Sequence, residues 1–300
     1  MTPELSIGTA QFGLDYGVTN EEGQISESEV HNILSMADDA GIRWLDTAQS
    51  YGNAEQILGR QIPAGNNFKI VNKLQAQRNE LFVLEDRCKW EKRFQESCLY
   101  LGATHIDTFM IHSSSDLKKE GGQYLESWLL SLKDRGLVQR LGLSIYDSKE
   151  LVDLNTRIFN VVQIPLSLLD QRLIMDGTIS KLHDMGIAIQ ARSLYLQGLL
   201  AIHPDKWPKW TTCDFRRHHQ ALSELALQKN CTLVELALGF AKSQRELEAV
   251  VIGICNLRQL EELVAVWQSE SPWEKGEWLQ WGWHDEDILD PRKWPKILRT

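Results

Sequence analysis

A single (β/α)8 barrel is the fold this sequence predicts, and three observations predict it. Eight short β-rich runs alternate with stretches of helical periodicity; such alternation implies parallel strands, because each return to the sheet needs a crossover. The polar residues that stand out, Asp46, Lys73, His112, Ser144 and Gln163, fall at the C-terminal ends of those runs, where a barrel carries its active face. No Gly-x-Gly-x-x-Gly turn follows the first run, which argues against a doubly wound open sheet, and no Pro/Gly/Ser-rich linker divides the 300 residues. One domain over residues 1–300 is expected, with a tryptophan-rich tail from about residue 270.

The elements follow in order. Residues 5–10 read as the first strand, with a loop through Gly13, Gly17 and Gly23. Ser26 and Glu29 have capping-box spacing, and Val30, Ile33, Leu34 and Ala37 then recur at helical intervals up to Gly41. The second strand, residues 42–45, runs into Asp46; a short helix over 54–59 is expected to end on Gly59 as a cap. The third strand, 68–72, ends at Lys73, and a helix over 84–101 carries Phe94, Cys98 and Leu101 on one side. Strand four, 106–111, stops at His112 before a polar run, and a helix over 123–135 stops at Gly136. Residues 140–144, 161–164 and 187–191 supply strands five to seven. A long loop over 197–217 has the length of a binding element, and helices over 218–228 and 233–242 precede strand eight at 249–252. The His218-His219 pair is expected at the surface, since helix neighbours point apart.

Composition narrows the function. A net charge of −9 spread along the chain opposes nucleic-acid binding by phosphate neutralisation. Five widely spaced cysteines without a Cys-x-x-Cys pair suggest neither a disulfide framework nor a zinc site, so no metal is expected. The start of the chain has no basic-then-apolar signal, and no apolar run approaches the ~20 residues that span a bilayer. A cytoplasmic protein acting on a small molecule is the expectation.

Taken singly, Asp46, Tyr51, Lys73 and His112 each have a structural explanation; together they put a carboxylate, a phenol, an ammonium and an imidazole on one barrel face. A free phenol has a pKa of about 10, so it gives up its proton reluctantly near neutrality. Lys73 is expected to lower that value and Asp46 to keep Lys73 charged, which makes Tyr51 a usable acid. His112 then orients a carbonyl and supports its developing charge. The main rival is a lyase or aldolase with Lys73 as a Schiff base; a third reading is a nucleotide-binding regulatory module without turnover.

The stretch Asp46-Thr47-Ala48 with Tyr51-Gly52-Asn53-Ala54-Glu55 and Leu58-Gly59 resembles the signature of the aldo-keto reductases, and Lys73 and His112 fall at the matching strand ends. The resemblance runs from Gly8-Thr9-Ala10-Gln11-Phe12-Gly13 to Gln259 and Glu262. It implies a barrel that binds NADP(H) in extended form, with NAD as the alternative, and transfers hydride between the nucleotide and a carbonyl or alcohol substrate. It assigns Asp46, Tyr51, Lys73 and His112 to catalysis. Nucleotide contacts are implied at Gly8, Thr9, Asp46, Ser144, Gln163 and Arg192, at Ser193, Leu194, Gln197 and Gly198 around the pyrophosphate, and at Gly253, Asn256, Gln259 and Glu262 around the adenosine. Ile145, Arg192 and Leu263 depart from the family pattern, and Cys255 stands where many members place a cation for the 2′-phosphate; Arg258, in the first turn of a helix after strand eight, is expected to serve instead. Residues 9–17 and 289–294 resemble a bacterial branch often linked to sugar metabolism. Of the 11 tryptophans, those in the long loop and the tail either pin irregular segments to the barrel or wall the substrate pocket.

Overall fold

The computed structural model describes residues 2–17, 20 and 22–295. Its eight strands are β1 (Glu4–Gly8), β2 (Trp44–Asp46), β3 (Lys69–Leu74), β4 (Ile106–Ile111), β5 (Val138–Ser144), β6 (Val161–Pro165), β7 (Ala188–Arg192) and β8 (Ala249–Gly253). They form a closed parallel barrel in sequence order, sealed where Glu4 through Gly8 pair in register with Ala249 through Gly253.

Strand periodicity explains what the barrel holds. Alternate residues face the lumen, so Trp44, Val71, Met110, Val161 and Ala249 form an apolar cluster of their own, apart from the large core between strands and helices. Two residues further along β2, β3 and β6, the same face delivers Asp46, Lys73 and Gln163 to the C-terminal end. Toward the other end Arg140 pairs with Glu248 at 2.7 Å and donates to Thr108 Oγ1 at 3.0 Å, while Gln190 donates to Glu248 at 3.0 Å. The lumen is thus filled from below, and Asp46, Lys73 and Gln163 gather at the opposite, C-terminal face.

Tyr51 is held by a contact that only glycine permits. A Cβ on Gly13 would lie 1.9 Å from Tyr51 O, and one on Gly52, whose φ is +56°, would lie 2.1 Å from Gly13 O. The short helix Ala10–Gly13 therefore lies backbone to backbone against the turn that carries Tyr51.

Several expectations change. The first strand stops at Gly8 because residues 10–13 turn helical. Gly59 lies inside the helix Ala54–Gln61 and ends nothing: its missing Cβ lets Tyr100 O approach to a point 2.0 Å from where that atom would be. The capping box at Ser26 is half made. Ser26 Oγ accepts from Glu29 N–H, but the Glu29 carboxylate reaches across to Leu257 N–H at 2.7 Å. The 197–217 segment carries 3-10 turns at Leu196–Ala201 and Pro204–Lys206 and enters the helix Cys213–Gln228 earlier than periodicity suggests.

His219 is not a surface residue; it is buried, 3.1 Å from Leu200 O and 4.6 Å from the Trp207 ring, and His218 packs on Trp281 and Trp283. The surrounding tryptophans create this burial. Trp207 stacks on Phe215 at 4.9 Å and Trp294 tilts against Trp210 at 4.8 Å, while Trp273 Nε1 donates to Leu236 O at 2.6 Å. They pin the tail to the barrel, the first of the two roles weighed for them; residues 296–300 of the tail lie outside the described residues.

Candidate active site

The site is built on a buried ion pair. Lys73 Nζ lies 2.5 Å from Asp46 Oδ1 and 3.2 Å from Thr47 O, and Gln163 Nε2 donates to Asp46 Oδ2 at 2.6 Å. Lys73 is 1% exposed and Asp46 3%. At so low an exposure the pair exists only because each charge is satisfied by the other and by neighbouring dipoles. Thr9 completes the support, its N–H and Oγ1–H both donating to Asp46 O at 2.9 and 3.0 Å. Above the pair sits Tyr51, whose ring centroid is 5.4 Å from Lys73 Nζ. His112 meets the Tyr51 ring edge-on at 6.0 Å. All four residues grouped by sequence reasoning therefore converge.

Electrostatics modify the expected activation. The Tyr51 phenol is pushed above its ordinary value, first by burial and then by the Asp46 charge, with Arg192 pulling it back. Lys73 does not bring it below that value in the resting site, because the ammonium is spent on Asp46. Burial also pulls Lys73 down, and Asp46 opposes this. Tyr51 is accordingly a protonated donor at any ordinary pH.

His112 is pushed down to about 3, by burial first and then by Lys73 and Arg192. Its Nδ1 lies 3.3 Å from Ser50 Oγ; with Ser50 donating, the neutral ring carries its proton on Nε2, available to a ligand. A stability consequence follows from the sign. Between the ordinary value of 6.5 and about 3 the unfolded chain binds a proton at this residue that the folded chain refuses, so the stability of the fold falls as pH drops through that interval. Denaturant titrations at pH 7 and pH 5 on wild type and His112→Gln check this: the wild type is expected to lose more stability on acidification, and equal losses would contradict it.

A cleft of about 1230 Å³ opens above these groups. Its wall includes Gly8, Asp46, Tyr51, His112, Arg192, Ser193, Leu194, Gln197, Gly198, Gly253, Gln259 and Glu262. An extended dinucleotide fits this cleft for two reasons. Ser193, Leu196, Gln197 and Gly198 all have positive φ, at 65°, 47°, 51° and 97°. Such strain in side-chain-bearing residues marks functional loops; here it closes tight turns, Leu196 N–H donating to Ser193 O and Gly198 N–H to Tyr195 O at 2.9 Å each, which set the loop along the cleft where a pyrophosphate would lie. Ser144 Oγ, at the end of β5 and outside the wall itself, is buried without a hydrogen-bond partner, and a polar ligand group such as a carboxamide would satisfy it if it reached that depth. Thr9, Lys73, Ser144, Gln163, Asn256 and Arg258 stand outside the cleft wall. Thr9 and Gln163 act through Asp46, Asn256 caps the helix Leu257–Gln268, and Arg258 pairs with Glu262 at 3.1 Å.

Sequence reasoning missed part of the wall. Tyr16, Tyr146 and Tyr195 line the cleft, as do Pro291 and Arg292 from the tail. Tyr146 is sandwiched between two guanidinium groups, with Arg192 4.0 Å and Arg292 3.8 Å from its ring. Arg192 is further tied to Ile145 O at 3.1 Å, and Arg292 to Asp290 at 2.7 Å and Glu150 at 3.1 Å. The signal was available in residues 9–17 and 289–294, which carry the branch resemblance: both segments reach the cleft.

Comparison with known proteins places this barrel and its site in a family. The model of the Aldo/keto reductase family matches residues 4–277, and the chain belongs to that family. An aldo-keto reductase of Mycolicibacterium vanbaalenii is 31% identical over 141 residues, 44% of this chain and 46% of that one. The Bacillus subtilis protein YtbE, described as an uncharacterized oxidoreductase, is 28% identical over 193 residues, 61% of this chain and 64% of its own. The matches thus span about half to two thirds of these relatives' length. A crystal structure of a Pseudomonas aeruginosa protein whose description reads "putative aldo-keto reductase" superimposes with a TM-score of 0.65 at 21% identity, covering 89% of this chain and 90% of that one, and supports the fold. No helix among the described residues is long and apolar enough to cross a membrane.

Proposed function

We propose that the protein interconverts a carbonyl compound and its alcohol with a nicotinamide nucleotide, Tyr51 acting as general acid in the reductive direction. The observation that carries this is the placement of a protonated phenol directly above the buried Lys73–Asp46 pair and edge-on to a neutral His112. When bound along the cleft, the nucleotide would supply the hydride for the carbonyl carbon. Tyr51 gives its hydroxyl proton to the carbonyl oxygen and becomes a phenolate, which Lys73 stabilises while the charge lasts. His112 donates from Nε2 to the same oxygen and fixes its direction. Solvent then returns a proton to Tyr51. In oxidation the sequence reverses, with the phenolate taking the alcohol proton.

The Schiff-base alternative fits less well. Lys73 is committed to Asp46 and Thr47 O and stands outside the cleft wall, whereas an imine needs a neutral amine that a carbonyl can reach. For the cofactor, the family resemblance favours NADP(H); the charges of the cleft bear on that choice below. The aromatic and arginine wall around Tyr146 suits a polar carbonyl such as a sugar derivative, in keeping with the branch resemblance. The test is a spectrophotometric screen with NADH and NADPH against sugar-derived, aliphatic and aromatic carbonyls. Carbonyl-dependent loss of nucleotide absorbance is expected. Binding without any oxidation across the panel would favour a regulatory module, and borohydride trapping of substrate on Lys73 would favour a lyase.

A further inference from the structure

The cleft as a dinucleotide site leaves one chemical choice, a ribose 2′-hydroxyl or a 2′-phosphate, which differ by about two negative charges. Tyr51 and His112 fix the reacting end on the side of β2 and β4. The remaining wall leads to the outer side of β8, where it is made by Cys255, Gln259 and Glu262. A nucleotide reacting at Tyr51 lays its adenosine ribose there.

The helix Leu257–Gln268 begins at that wall, and a free helix N-terminus would attract a phosphate. This one is already occupied. Leu257 N–H donates to Glu29 Oε1 at 2.7 Å, Gln259 N–H to Asn256 Oδ1 at 3.0 Å, and Cys255 N–H to Gln259 Oε1 at 2.8 Å. Glu22 adds a second carboxylate, its Oε2 3.5 Å from Asn256 Nδ2. The Cys255 thiol registers that charge: burial first, and then Glu22, hold it above the ordinary range. Glu262 is a third carboxylate, in the wall itself. Against the three stands Arg258, paired with Glu262 at 3.1 Å; like Glu22 and Glu29 it stands beside the wall rather than in it, so the local balance is three carboxylates to one cation. The arginines that do line the cleft, Arg192 and Arg292, flank Tyr146 at the reacting end.

Resting on the dinucleotide reading, we infer that the far wall selects NAD(H) over NADP(H): Glu22, Glu29 and Glu262 repel a 2′-phosphate, and Glu262 accepts a hydrogen bond from a 2′-hydroxyl. Like charges brought together are a specificity device, since they penalise one ligand and leave the other untouched. Two of the carboxylates are exposed, so salt should weaken the discrimination.

Calorimetric titration of NADH and of NADPH into the full chain tests this without reference to turnover. NADH is expected to bind about tenfold or more tightly than NADPH at low salt, with the ratio narrowing as salt is added. In the double variant Glu22→Gln, Glu262→Gln, which alters exposed side chains, NADPH affinity is expected to rise and NADH affinity to hold or fall. NADPH binding as tightly as NADH in the wild type overturns the inference while leaving the dinucleotide site intact. An unchanged ratio in the double variant overturns the assignment to these carboxylates. Failure of both nucleotides to bind removes the dinucleotide reading, and the inference with it.

Discussion

Tyr51→Phe is expected to lose about 10²–10⁴-fold in carbonyl reduction, the range for a positioned general acid, while nucleotide affinity is maintained. The substitution removes one oxygen. The ring keeps its edge contact with His112 and its place above Lys73, and the Gly13–Gly52 approach that positions the turn is untouched. Single-turnover reduction followed at the nucleotide absorbance, together with calorimetric binding, separates the two effects. Because the wild-type phenol lies above its ordinary value, reduction by the wild type should not decline between pH 8 and 9.5 through loss of this proton. Near wild-type turnover in a correctly folded Tyr51→Phe would remove the residue from the role of acid.

Lys73→Met should damage both stability and turnover, and the two can be told apart. Removing one member of a buried pair typically costs about 3–5 kcal/mol, because the other charge is left without a partner; Asp46 would keep only Gln163 Nε2 on its side chain. The phenolate that forms at Tyr51 would also lose the Lys73 ammonium and face that carboxylate with Arg192 alone to offset it. A fall of about 10²–10³-fold in turnover, the scale of one lost stabilising group at a developing oxyanion, is expected. Adding Asp46→Asn relieves the stranded charge, so the double variant should recover melting temperature without recovering turnover. Recovery of both would make the pair a structural feature, and recovery of neither would place the lesion in local repacking.

Local pattern was enough to read the barrel and to group Asp46, Tyr51, Lys73 and His112 at its mouth, for a physical reason. Strand periodicity is two, so a sequence that alternates along β2, β3 and β4 already states that Asp46, Lys73 and His112 share a face, and each falls at or next to a strand's C-terminal end; the register then staggers them, with Asp46 beside Val71 and Lys73 beside Met110. The strand count and the closing of helices over apolar stripes are likewise local properties, and the eight strands lie where the sequence places them to within two residues at most ends. Gly52 was legible as a chain break; its closeness to Gly13 was not.

What only the tertiary structure decided is everything that depends on which distant segments meet when the barrel closes. Gln163 reaches Asp46 across 117 residues and Glu29 reaches Leu257 across 228; neither contact leaves a mark in the spacing of its own segment. The same closure tucks His219 beneath the tryptophans of the tail and long loop, brings Arg292 against Tyr146, and sets three carboxylates where the sequence offered an arginine for a phosphate. It also reversed the expected shift of Tyr51, since a charge pair that looks activating in sequence is, once buried, largely satisfied within itself and leaves desolvation to dominate.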